Sequence, residues 1–254
     1  MPLEIHDLGL IDYETAWKLQ DEYAAEIAAG TRPPTLLLLE HPHVYTFGRK
    51  GNANNLLWNE EQLKEKGVST HWVDRGGDVT YHGPGQLVGY PLLPLNPIKP
   101  DRSQEESPDL EDSAGRPVRF TGDIPVRSDY IGYIRQLEEM LIGVLMGYGI
   151  AAGQIPGKTG VWVQADVHSR CPRCSPEDRR RPAKIAAIGV KVDVNGVTRH
   201  GFALNVNPNM EYWEGIVPCG LPEPVASLAD LLFPPPTMED VKERVSESFR
   251  KIFE

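Results

Sequence analysis

Cysteine is scarce in this chain. Cys171, Cys174 and Cys219 are the three in 254 residues, too few and odd in number for a disulfide framework, so a reducing compartment is expected. Long apolar runs are missing as well; Leu36 to Leu39 falls far short of a bilayer span. The opening Met1-Pro2-Leu3-Glu4-Ile5-His6-Asp7 has neither the basic and apolar regions of a signal peptide nor the Arg-rich, acid-poor character of a mitochondrial presequence. The cytoplasm is therefore the expected location. Positive charge is also short. Against 36 Asp and Glu stand 26 Lys and Arg, a formal net charge of −10 that argues against a general nucleic-acid binder. Between Arg75 and Gln86, a glycine-rich run, there is no Gly-Lys-Ser/Thr of a P-loop and no G-x-G-x-x-G opening a helix, and the chain shows no internal repeat.

Hydrophobic residues, at 40%, supply a core and exclude a disordered chain. The 24 glycines and 23 prolines point to many loops rather than a helical bundle. Residues 13–29 read as a helix, with Tyr13, Trp17, Ala24 and Ile27 near helical spacing and Gly30 as a stop. Thr35 to Glu40 reads as a buried strand. Ser128 is the expected N-cap of a second helix carrying Ile131, Ile134, Leu141, Val144, Leu145 and Tyr148, and Gly149 ends it. Lys184 to Val192 and Val197 to Val206 flank Asn195-Gly196, a hairpin turn signal. Thr237 and Asp240 open a last helix. The pattern predicts a mixed α/β (α+β) fold, a single domain over 1–254, with insertions at about 99–127 and 164–182. The first insertion is polar and acidic, and a mobile loop is expected. The second gathers Arg170, Arg173, Arg179, Arg180 and Arg181.

Three places draw attention chemically. The run Arg75-Gly76-Gly77-Asp78-Val79-Thr80-Tyr81-His82-Gly83-Pro84-Gly85-Gln86 offers backbone that a ligand can approach closely, with N–H groups free to point at it. A plain glycine-rich turn region is the competing reading. Cys219 is either a nucleophile, if some group stabilises its thiolate, or a small hydrophobe. Lys184 is either a snorkelling edge residue or a tuned base, and strict alternation sets it on one sheet face with Ala186 and Ile188.

Together these residues resemble the lipoate-biosynthesis octanoyltransferases, also called lipoyl(octanoyl) transferases. Arg75 to Pro91 looks like that family's signature. Glu40 to Arg49, Gly160 to Val163, Lys184 to Gly189, His200 to Val206 and Pro218-Cys219-Gly220 are similar to further family blocks and follow in family order. The resemblance implies a fold shared with lipoate- and biotin-protein ligases: a larger mixed sheet, a smaller sheet and flanking helices. Cys219 matches the family's acyl-accepting cysteine and Lys184 its partner lysine. Substrate-contacting positions map onto Arg75, Gly76, Gly77, Asp78, Val79, Thr80, Tyr81 and His82, onto Ala187, Ile188 and Gly189, and onto Gly201, Phe202 and Ala203.

The implied reaction moves octanoyl from octanoyl-acyl carrier protein to a lysine of lipoyl domains, those of 2-oxoacid dehydrogenase E2 subunits and of glycine-cleavage H protein, through a Cys219 thioester. It needs no cofactor, nucleic acid or membrane. An ATP-dependent lipoate or biotin ligase and a non-catalytic lipoyl-domain binder are the alternatives. His168, Cys171 and Cys174 offer three ligands with a C-x₂-C zinc spacing, but no fourth ligand or second element lies nearby, and no metal is expected. The five arginines of 164–182 are a docking patch for an acidic carrier protein, charges that neutralise the 99–127 segment, or a solvated loop with no role.

Overall fold

The computed structural model describes residues 2–95, 129–220 and 223–254, and of Cys219 the backbone alone. Segment 99–127 lies outside the described residues. In chain order the elements are β1 (Glu4–Leu10), α1 (Tyr13–Ala28), β2 (Thr35–Glu40), β3 (Val44–Phe47), α2 (Glu60–Glu65), β4 (Ser69–Trp72), β5 (Val79–His82), β6 (Gln86–Leu92), α3 (Tyr130–Gly147), β7 (Ala152–Ile155), β8 (Lys158–Val163), α4 (Ala165–His168), β9 (Ala183–Val192), β10 (Thr198–Asn205), α5 (Leu228–Leu231) and α6 (Met238–Phe253). They form a seven-stranded sheet ordered β1-β2-β6-β10-β9-β8-β7 and a three-stranded sheet ordered β4-β3-β5.

The four leucines of β2 show why the large sheet needs cover on both faces. Successive side chains of a strand point to opposite faces. Leu36 and Leu38 enter the core under α3 and α6, with Leu137, Leu141, Val241 and Val245. Leu37 and Leu39 enter the core under α1, with Ala16, Ala24 and Ile27. Burying one such leucine is worth about 1.5–3 kcal/mol, so the run anchors both layers. The small sheet has its own core of Tyr45, Phe47, Val79 and Tyr81, closed by Trp58, Tyr212 and Trp213.

Local signals explain most boundaries. Asp12 caps α1, its carboxylate accepting from Thr15 N–H at 2.9 Å, and Thr237 caps α6, accepting from Asp240 N–H at 3.2 Å. The α3 cap is Asp129, accepting from Gly132 N–H at 2.8 Å, not the expected Ser128, which lies outside the described residues. The β9–β10 hairpin turns through Asn195-Gly196, with Gly196 at φ +78° and the Asp193 carboxylate accepting from the N–H groups of Asn195 and Val197.

One irregularity decides where Lys184 points. Along β8 and β9, Val161 pairs with Ala186 but Trp162 pairs with Lys184, so two steps of β9 answer one step of β8. This bulge reverses the alternation. Ile185 and Ala186 both belong to the α3/α6 core, and Ile188 packs against it. Lys184 therefore does not share a face with Ala186 and Ile188. It lies on the other side, its Nζ 4.8 Å from the centre of the Trp162 ring. Among the described residues no helix is long and apolar enough to cross a membrane.

Candidate active site

A cavity opens where the start of α1, the small sheet and strands β6, β9 and β10 of the large sheet converge. Three separate segments line it: Arg75, Gly76, Gly77, Thr80 and His82; Ala187, Ile188 and Gly189; Gly201, Phe202 and Ala203. Their approach depends on absent side chains. A Cβ on Gly189 would stand 3.0 Å from the Gly76 carbonyl oxygen, and one on Gly201 would stand 2.1 Å from that of Gly89. The Gly76 N–H donates to the Val190 carbonyl at 3.0 Å, which pins the glycine loop over β9. Gly77 takes φ +89°, a conformation glycine adopts without strain.

Asp78, Val79 and Tyr81 do not line the cavity. The Asp78 carboxylate accepts from the N–H groups of Asn52 (2.8 Å) and Val79 (2.7 Å) and from the Asn55 side-chain amide. Val79 and Tyr81 are buried in the small-sheet core. Tyr13, Val88, Tyr90 and His200 complete the lining and were missed from sequence. Tyr13 reads there only as an apolar helix position, and His200 only as the start of a matching block.

The polar groups around the cavity are held fixed. Arg75 donates from Nη2 to the Thr46 carbonyl (2.6 Å) and hydroxyl (2.9 Å) and from Nη1 to the Gly76 carbonyl (2.9 Å). His82 is buried and bonds through Nδ1 to Gln86 Oε1 at 2.7 Å. An amide oxygen only accepts, so Nδ1 carries the proton. Burial pushes His82 down to about 3, and neighbouring His41, also buried, down to about 4; both are neutral at physiological pH. His200 donates from Nε2 to Asp74 at 2.7 Å, while its buried Nδ1 makes no hydrogen bond. Burial lowers His200, and Asp74 opposes that. The His200 hydrogen bond, aided by Lys191, holds Asp74 well below the usual carboxylate range.

The segments carrying Lys184 and Cys219 are joined by backbone. Lys184 N–H donates to the Pro224 carbonyl (2.9 Å), Ala226 N–H donates to the Lys184 carbonyl (2.9 Å), and Val225 bridges to Lys184 in parallel. Before that pairing the chain makes a single 3-10 turn, Pro218–Gly220. Val217 N–H fixes the turn to the Asn55 carbonyl at 2.8 Å, and a Cβ on Gly220 would meet the Asp78 carboxylate at 3.3 Å. Thus Asp78, although outside the cavity, organises the loop on which the Cys219 turn rests. Near the Lys184 stem, Gly160 takes φ +112°, and a Cβ there would stand 2.6 Å from the Ala186 carbonyl oxygen. The buried Glu138 carboxylate, reaching from α3, accepts the Gly160 N–H at 3.0 Å.

The 164–182 insertion is ordered rather than a solvated loop. His168 and Cys171 are fully buried, and Cys171 and Cys174 are joined as a disulfide, a local bridge that the cysteine count gave no reason to expect. Arg173 pairs with Asp230 at 2.6 Å. Arg179 donates to the carbonyls of Pro172 (2.7 Å) and Cys174 (3.0 Å). Arg170 and Arg180 are exposed.

This architecture is shared by enzymes that attach lipoyl groups to proteins. A bi-partite lipoate protein ligase from the lipoylation system of Thermoplasma acidophilum, described with its E2 lipoyl domain, superposes with a TM-score of 0.62 at 15% identity, covering 98% of this chain and 82% of that one. A lipoate-protein ligase A bound with ATP gives 0.59 at 13% identity, covering 98% and 84%. The model of the lipoyl protein ligase A/B catalytic domain matches residues 12–108 and 121–250, and the chain belongs to that family. Within it, the octanoyltransferase of Solibacter usitatus is 41% identical over 250 residues, covering 98% of this chain and 92% of the relative. That of Chloroflexus aurantiacus is 40% identical over 252 residues, covering 99% and 94%.

Proposed function

We propose that this chain transfers octanoyl from octanoyl-acyl carrier protein, through a thioester on Cys219, to the ε-amine of a lysine on lipoyl domains. Octanoyl transfer in lipoate biosynthesis rests on the octanoyltransferase relatives, which match at about 40% identity over nearly the whole chain. Carrier protein as donor, E2 and H-protein lipoyl domains as acceptors, and a cytoplasmic setting are the finer parts of the reading. The observation that carries it is the backbone pairing of Lys184 with Pro224 and Ala226, which ties the strand bearing the lysine to the segment that follows Cys219; Lys184 itself is not among the lining residues, but Ala187, three residues further along that strand, lines the cavity walled by the three glycine-rich segments.

In the first step the Cys219 thiolate attacks the carrier thioester. A new C–S bond forms, the old one breaks, and the carrier thiol leaves with a proton. The exchange of one thioester for another needs no ATP. In the second step the acceptor amine attacks the Cys219 thioester, an amide forms, the amine loses a proton and the Cys219 thiol is restored. A charged Lys184 favours the thiolate, and a neutral Lys184 takes the amine's proton. The apolar wall of Tyr13, Val88, Tyr90 and Ala203 suits an alkyl chain.

The test offers two donors. Octanoyl-acyl carrier protein without nucleotide is expected to give octanoyl-lipoyl domain, and free octanoate with ATP is expected to give none. Product from octanoate and ATP alone would make the chain a ligase. No product from either, with Cys219 inert to alkylation, would make it a binder.

A further inference from the structure

Outside the cavity, His168, Cys171 and Cys174 bring their ligand atoms within 4.8 Å of one another. Spacing alone argued against a metal for want of a fourth ligand. The structure adds orientation, which spacing cannot show. His168 Nδ1 faces the carbonyl oxygens of Asp178 (2.9 Å) and Arg181 (3.1 Å). Carbonyls only accept, so Nδ1 holds the proton and Nε2 is the bare nitrogen, 3.3 Å from Cys174 Sγ. A ring N–H spent on a backbone carbonyl, with the other nitrogen turned to the ligand set, is how metal-binding histidines are oriented. Cys174 N–H donates to Cys171 Sγ at 3.1 Å, which fixes the two sulfurs on one side of the turn. The Arg179 guanidinium locks the turn through two carbonyls, those of Pro172 and Cys174.

We propose that in its dithiol state this knot binds one zinc ion through His168 Nε2 and the Cys171 and Cys174 thiolates, with the fourth position filled by solvent. Two soft thiolates and an imidazole select zinc over hard cations. Disulfide and metal exclude each other here. Opening the Cys171–Cys174 bond takes two electrons and two protons from an external dithiol, itself oxidised to a disulfide, and metal binding then releases the two thiol protons. The site sits just ahead of β9, and Arg173 ties it to Asp230 beyond Cys219. The ion thus clamps the approaches to both proposed catalytic residues.

The test titrates full-length protein, reduced with a phosphine and stripped with a chelator, with cobalt(II) and then zinc(II). One equivalent of cobalt is expected, with thiolate charge-transfer and tetrahedral visible bands that zinc abolishes. Diamide-oxidised protein is expected to show neither. His168→Gln and Cys174→Ser should lose the bound equivalent, while Cys219→Ser keeps it. Should the buried His168 variant fail to fold, the reduced and oxidised wild type still decide the matter. No stoichiometric binding by reduced protein, equal binding by both redox forms, or binding lost in Cys219→Ser and retained in Cys174→Ser would overturn the proposal.

Discussion

The cavity and the 164–182 knot are held in opposite ways. The cavity is walled by glycine backbone, from Gly76 and Gly77 through Gly189 to Gly201, positioned by strand pairing across β6, β10 and β9. The knot makes a few side-chain contacts serve instead: Arg173 to Asp230 outside it and, within it, Arg179 to two carbonyls and His168 to two more. A backbone-built wall tolerates loss of side chains and not their gain; a knot built from side chains has the reverse weakness.

The strongest way to break this contrast is to add one methyl group. Gly201→Ala sets a Cβ 2.1 Å from the Gly89 carbonyl oxygen and 2.6 Å from Pro91, neither of which is a flexible chain end. We expect a loss of about 3 kcal/mol in chemical unfolding, at the upper end for overpacking, together with loss of transfer. Wild-type stability would show that the sheet gives way there.

A second effect comes from pH. His82 and His41 are buried neutral, held at about 3 and about 4, while in the unfolded chain they titrate near the ordinary value of about 6.5. Below that value the unfolded state binds the extra protons. Stability is therefore complete above about pH 6.5 and falls on acidification toward pH 4, by up to about 1.4 kcal/mol per pH unit for each histidine. Unfolding curves across that window check it. His82→Gln should flatten the slope, and an unchanged slope would deny that His82 is buried neutral.

Smaller effects are expected in the knot. Asp230 accepts from Ser227 N–H (2.9 Å) and hydroxyl (2.7 Å) as well as from Arg173. Asp230→Ala should cost about 1–2 kcal/mol, the range for a lost cap with a hydrogen-bonded charge. Smallest is the docking effect. Arg179 is committed to the turn, so a docking role falls on exposed Arg170 and Arg180. Arg180→Glu should slow capture of octanoyl-acyl carrier protein in a way that salt masks, leaving a small octanoyl thioester unaffected. Equal slowing with both donors would remove the patch from docking.

The parts legible from sequence are those that local chemistry decides. Leu36 to Leu39 announces a strand covered on both faces, Asn195-Gly196 a tight hairpin, and Thr237 with Asp240 a helix start; each appears where expected. What escaped depends on register and long-range packing. The β8–β9 bulge turns Lys184 away from Ala186 and Ile188, and alternation carries no trace of it. Asp78 belongs to the signature run yet faces the Asn52–Asn55 loop, whereas Tyr13 lines the cavity from a helix that reads as ordinary core, and Val88 and Tyr90 line it from the end of the signature run, where no substrate contact was assigned. The insertion's arginines read as a charge cluster because their partners, Asp230 and two backbone carbonyls, are set by the fold.

The central claim is that Cys219, on the 3-10 turn that precedes the segment paired with Lys184, carries the acyl group between donor and acceptor. Intact-protein and peptide mass spectrometry after incubation with octanoyl-acyl carrier protein tests it most directly. The account predicts one hydroxylamine-labile octanoyl group, on the Cys219 peptide, present in Cys171→Ser and absent in Cys219→Ser. An adduct on Cys171 or Cys174, or transfer by Cys219→Ser at the wild-type rate, would contradict it.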